Sequence, residues 1–308
     1  MGNSSSQISQ ENENIILHNN HFNVQIDIPD IRDYEFKLPE NQISEISSQF
    51  EITLQGEYKD VSNNCIINNI CYILYNVLKD YANEKKTIPF YPSSKYIEYI
   101  IKQNEYQNNL DSGISIRKVL KAINKYGIIP DNLNHKNMLN LNIFTNIFKI
   151  KYEKINVKDP DIIKNLLLDN KLVIFNLTIY SSIDNKLSKK NNLIPLPKKS
   201  DSVLGCLSAI VYGYDDNLKN FNIIAPLNEY WNSNNGKISY ETFSKISNDI
   251  WVIDLILKKN YNNELKKLII ENEKNLDNNQ EVKVNNEEIT EINDSEKKKL
   301  TNRRIIWS

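Results

Sequence analysis

The chain has 308 residues, enough for one large or two medium domains with a real core, and its 40% apolar and 25% charged content is that of an ordinary soluble globular protein. Thirty-eight basic side chains stand against 39 acidic ones, a net charge of −1, so no overall field argues for nucleic acid or for an acidic substrate. No apolar run approaches the roughly 18–20 residues of a membrane span, and the start is too polar for a secretory signal.

Taken in order, residues 1–26 read as a flexible polar arm. Its opening, Met1-Gly2-Asn3-Ser4-Ser5-Ser6, fits the acceptor pattern for myristoylation of Gly2, a pattern short enough for a polar start to match by chance. One acyl chain binds membrane only marginally, and residues 1–31 hold no Lys or Arg to help it. Residues 27–60 look extended or irregular. From Val61 to Lys86 the apolar residues Ile67, Ile70, Cys71, Leu74, Val77, Leu78 and Tyr81 recur at three-four spacing, predicting a long helix with one buried face. Ser62, Asn63 and Asn64 ahead of it are good N-cap residues. Pro92-Ser93-Ser94 opens a second helix, and Ser112-Gly113 precedes a third with Ile116, Val119, Leu120 and Ile123 on one face, ended by Gly127.

Near residue 150 the pattern changes. Lys149 to Val157 alternates as a strand does, Asp161 to Leu168 is a short helix after Pro160, and Leu172 to Ile179 reads as a buried strand. Val203 to Tyr214, Phe221 to Ile224 and Ile250 to Ile256 are further strands. This gives an α+β chain with a helical lobe over 27–150, a β-rich lobe over 151–258 and a charged, largely disordered tail over 259–308.

Three cysteines, with no C-x-x-C pair, argue against a disulfide framework or a zinc site; no metal and no cofactor is expected, and reducing cytoplasm is the default compartment. Cys65 falls on the first turn of the long helix, where the positive end of the dipole favours thiolate. A nucleophile and an inert core thiol both fit that place.

Several stretches together resemble the papain-like cysteine peptidases, in the compact variety of bacteria and large DNA viruses. Asp30-Ile31-Arg32-Asp33 is similar to the family's opening D-L-R, and Cys65-Ile66-Ile67-Asn68-Asn69-Ile70 to C-T-A-N-A-I at its nucleophile helix. Pro92-Ser93 with Tyr96-Ile97-Glu98-Tyr99 resembles P-S-x-L-F-I-Y-Y. Asp111-Ser112-Gly113 through Ile116-Arg117 to Asn124-Lys125-Tyr126-Gly127 resembles D-x-G-x-x-I-R followed by N-K-Y-G. Leu193 to Pro197, and Val203-Leu204-Gly205 running on to Tyr212-Gly213-Tyr214-Asp215-Asp216, are similar to G-V-V-P-M-P and V-L-G-G-H-A-V-L-A-V-G-Y-D-D. The resemblance implies a two-lobe fold, a helical lobe built on the Cys65 helix and a β-barrel-like lobe, with a substrate groove between them. It also implies a Cys nucleophile, a His base, an Asn that orients the His and a Gln that donates to the oxyanion.

The slots hold other residues. The ungapped stretch from Val203 to Ala209 sets Leu207 where the His belongs, and Phe221 to Asn228 sets Ala225 in the Asn slot, with Trp231 kept downstream. Lys59 stands at the Gln position; Gln55, followed by Gly56, is the displaced alternative for an oxyanion donor. Lys59 is also a cation able to depress a neighbouring thiol's pKa. His18 and His21 lie on the arm, and His135 follows the third helix in a part of the fold that faces away from the Cys in relatives, so none is expected to come within the ~3 Å of the thiol that a base requires. Cys206, beside the vacant slot, is either a second buried thiol or a redox partner for Cys65; Cys71 is core.

The expectation is a non-catalytic papain-like protein, a binding or structural component that takes a protein or peptide partner between its lobes. It would reside in cytoplasm (host cytoplasm or virion if viral), with weak membrane contact if Gly2 is acylated. Two readings stay open beside it: an active cysteine peptidase using Cys65 with a divergent base, and a membrane-tethered structural protein.

Overall fold

The first helix, α1 (Cys65–Lys85), passes between a sheet and two further helices and sets the position of everything else. The computed structural model describes residues 24–30, 33–37, 47–59, 64–85, 89–104, 113–133, 148–156, 158–227, 230–231, 233–257, 262–263, 265–267 and 270. Asn64, one of the candidate caps, is in place: its Oδ1 accepts from Ile66 N at 3.0 Å and Ile67 N at 3.4 Å, satisfying two of the amides that a helix start leaves open. The expected single buried face is too narrow. Every residue from Cys65 to Leu74 is buried, Asn68 and Asn69 included, because α1 meets strands on one side and helices on the other.

Helix α2 (Ser94–Asn104) starts at Ser93, whose Oγ accepts from Tyr96 N at 3.3 Å. Helix α3 (Ile116–Tyr126) has Ser115 as cap and ends at Gly127, where φ is 78° and the amide returns to Ile123 O at 2.7 Å. Its buried residues are Ile116, Val119, Leu120 and Ile123, the four read from spacing.

The second lobe holds β2 (Phe148–Ile155), α4 (Pro160–Leu168), β3 (Val173–Tyr180), α5 (Lys186–Asn191), β4 (Leu193–Ile194), β5 (Val203–Asp215), β6 (Asn220–Ile224), β7 (Asn235–Ser239), α6 (Tyr240–Ile246) and β8 (Ser247–Leu257). With β1 (Gln49–Glu51) they form one eight-stranded sheet, ordered β2-β8-β3-β5-β6-β7-β4, with β1 paired to β5 off that path. The path is open, which corrects the barrel expected of this lobe. Its end strands β2 and β4 are not paired with each other among the described residues.

Three further places differ from the sequence reading. Val24, inside the expected arm, bridges Ile114, and β1 belongs to the sheet although it precedes α1 in the chain. Leu265, inside the expected solvated tail, is fully buried.

Candidate functional site

Strand β5 is the spine of the site. Antiparallel to β3, it pairs Cys206 with Thr178, Leu207 with Leu177 and Ser208 with Asn176. Alternation puts Cys206 and Ser208 on one face and Leu207 on the other. The ladder between β5 and β6 begins only at Ile210 and Ile224, so the Ser208 amide lies beyond it and has no strand partner on that edge among the described residues. The thiol of Cys65 takes that place: Ser208 N donates to its Sγ at 3.3 Å. Cys65 is 1% exposed and Leu207 fully buried.

Cys206 is partly exposed, and its thiol is pushed up to about 12, by burial first and then by Cys65 and Asp249 nearby. Cys71 is fully buried and its thiol is driven upward too. Burial is the main cause; Asp131 and Glu98 add to it, and Lys59 opposes it without prevailing.

Gln55, the possible oxyanion donor, is anchored away from the start of α1. Residues 52–59 run back along α1: Gln55 N donates to Asn76 Oδ1 at 2.7 Å, Tyr72 hydroxyl to Gly56 O at 3.3 Å, and Tyr58 hydroxyl to Asn69 Oδ1 at 3.0 Å. Gln55 is thereby anchored beside a residue eleven positions past Cys65. At 1.5 Å per residue that is roughly 16 Å along the helix, too far for a glutamine side chain to span. Lys59 is committed elsewhere. Its Nζ lies 3.1 Å from Asp131 Oδ2 and 4.5 Å above the Tyr91 ring, and it acts on the Cys71 thiol.

Ala225 is fully buried just past the end of β6, its amide donating to Asn234 O at 2.9 Å and its carbonyl accepting from Leu227 N at 2.8 Å. Trp231 is 1% exposed, and its Nε1 donates to Ser188 Oγ at 3.5 Å. Gly2, His18, His21 and His135 lie outside the described residues. A cleft of about 500 Å³ opens elsewhere, between β1, the far end of β5, β6, β7 and the end of α5, lined by Glu51, Tyr212, Asp215, Asn222 and Lys237 among others. No helix among the described residues is long and apolar enough to cross a membrane.

A helix that begins at a cysteine, with that thiol set against the long central strand of a second lobe, is the arrangement the sequence resemblance implies. The whole-chain comparison decides the fold. Xylellain, a cysteine protease from Xylella fastidiosa, superposes with a TM-score of 0.61 over 76% of this chain and 96% of its own, at 24% identity. The chain has a papain-like fold. A procathepsin B from Trypanosoma congolense shares it at a TM-score of 0.56 and 9% identity, over 82% of this chain and 97% of its own. In sequence, an uncharacterized peptidase C1-like protein of Acanthamoeba polyphaga mimivirus is 25% identical over 218 residues, 65% of this chain and 69% of that protein. No protein-family model matches. Within the papain-like frame, the Cys65 and Ser208 contact sets the residue beside Leu207 directly against the thiol. That contact could not be read from the sequence: a backbone amide carries no residue signature, and its availability depends on where β6 stops.

Proposed function

We propose that this papain-like protein does not hydrolyse peptides and serves as a binding or structural component. The observation that supports the reading is the contact at Cys65. The sulfur is sealed from solvent and accepts a main-chain hydrogen bond, and the strand position aligned with the base carries a buried leucine. Leucine neither accepts a proton nor stabilises a thiolate, and Ala225 offers no side-chain amide to orient one. Loss of both polar groups together is physically coherent, since one of them left buried without its partner costs ~1–3 kcal/mol. The partner would be a protein or peptide at the junction of the lobes. The relative from mimivirus is consistent with a viral setting, and acylation of Gly2 would add a weak membrane contact.

An epoxysuccinyl peptide probe tests this on the full chain. The expected result is that neither native wild type nor Cys65→Ala gains the mass of the probe. Rapid modification of wild type that vanishes in Cys65→Ala would establish the active-peptidase alternative instead.

A further inference from the structure

The N-terminal segment joins the two lobes through a cluster of buried charges. On the helical side, Val24 bridges Ile114 just ahead of α3, with Gln25 N donating to Ile114 O at 3.1 Å. On the sheet side, Lys154 of β2 donates its amide to Tyr34 O at 2.7 Å and accepts from Phe36 N at 2.9 Å. Between these ends the segment turns Asp27 inward and leaves Ile26 and Ile28 exposed.

Asp27 enters a site whose cations are already engaged. Arg117 grips Asp33 with two donors, Nε to Oδ1 at 2.8 Å and Nη2 to Oδ2, and gives Nη1 to Ile28 O at 2.7 Å. Lys154 Nζ pairs with Asp249 Oδ1 at 3.0 Å. The other oxygen of Asp249 accepts from Asp27 N at 2.6 Å and Asn176 Nδ2 at 3.5 Å. Among the described residues, Asp27 itself receives the Arg117 amide at 3.2 Å and the Ser115 hydroxyl, with the guanidinium 3.8 Å away. Its side chain is 2% exposed and that of Asp249 4%. Asp27, Asp33 and Asp249 thus outnumber Arg117 and Lys154, and Asp30 approaches Arg117 from the same segment. Tyr152 faces Asp33 and Arg117 from β2, and Cys206 faces Asp249 from β5. Both cations also lie over Trp251, Arg117 at 5.9 Å and Lys154 at 5.5 Å from the ring centre. Among the described residues, two cations face the buried Asp27 and Asp249 and the partly buried Asp33, an excess of negative charge that holding a proton relieves.

We propose that this cluster is a proton-operated latch, which fastens the N-terminal segment across the lobes when Asp27 is protonated and loosens its hold when Asp27 ionises. Burial raises the Asp27 carboxyl above its ordinary value of 3.8, with Asp249 adding to the rise against the Ser115 and Arg117 contacts. Because the folded group binds its proton more tightly than the unfolded one, the stabilisation is complete below 3.8 and is lost as pH climbs through the folded value.

Amide exchange on the full chain, followed by NMR with the intrinsic rate divided out, reads the latch at Gln25, Asp27 and Phe36. Between pH 4 and 7.5 the opening constant at these amides should rise with pH, by up to about tenfold per pH unit, the limit for one proton. Asp27→Asn should flatten the dependence. A flat wild-type profile, or a D27N profile as steep as wild type, would overturn the proposal. So would a carboxyl-carbon titration of Asp27 in wild type with its midpoint at or below 3.8, a measurement that needs no variant to fold.

Discussion

Thiol chemistry at the scale of single residues is set by surroundings. With its pKa near 12 in place of 9.0, Cys206 carries roughly a thousandfold less thiolate at pH 8 than an unperturbed cysteine. Alkylation of Cys206 by iodoacetamide should therefore be about that much slower in native protein than in urea, and peptide mass mapping checks it. A rate within tenfold of the unfolded one would contradict the burial argument. Gly236 supplies a steric counterpart: a Cβ there would lie 2.1 Å from Cζ3 of the buried Trp231. Gly236→Ala must push that indole aside, and overpacking of this kind costs about 1–3 kcal/mol, readable as a lower urea midpoint at unchanged slope. What sequence spacing could supply at this scale was a set of expected positions, Cys65, Leu207 and Ala225. It could not supply the place of Gln55, which depends on how residues 52–59 lie against α1 through Asn69, Tyr72 and Asn76.

Legibility at the level of elements followed amphipathic contrast. Helix α3 was readable to the residue because polar Lys118, Lys121 and Asn124 interrupt its four buried positions at regular spacing. Helix α1 was found but misjudged in burial, since Asn68 and Asn69 mimic a solvent face while lying in the core. Strand β7 and helix α6 were not anticipated. Asn235-Gly236 at the start of β7 carries a turn signature, and α6 has only seven residues, too few for a period to show. The cap of α1 can be tested alone: Asn64→Ala should cost about 1 kcal/mol in urea unfolding, less than a core truncation, because packing holds most of the helix.

Both lobes share one core and one buried charge cluster across the whole molecule, so they should unfold together. Arg117→Ala leaves Asp27 and Asp33 buried without their guanidinium, a loss expected at about 3–5 kcal/mol, visible as a single displaced transition by circular dichroism and fluorescence alike. Two separated transitions would show the lobes to be independent. The fold class was legible from the order of helices and strands; the open sheet and the return of β1 onto β5 were not, because a three-residue strand leaves almost no pattern. That return pairs Gln49 with Asp215, and β8, another strand against α1, ends at Leu257. During translation, then, α1 leaves the ribosome roughly 170 residues before its last neighbour is made, a delay of roughly 10–35 seconds at usual elongation rates. For that interval α1, buried from Cys65 to Leu74 in the finished fold, has α2 and α3 to pack on but not all of its sheet cover, which makes it the natural client segment for a chaperone.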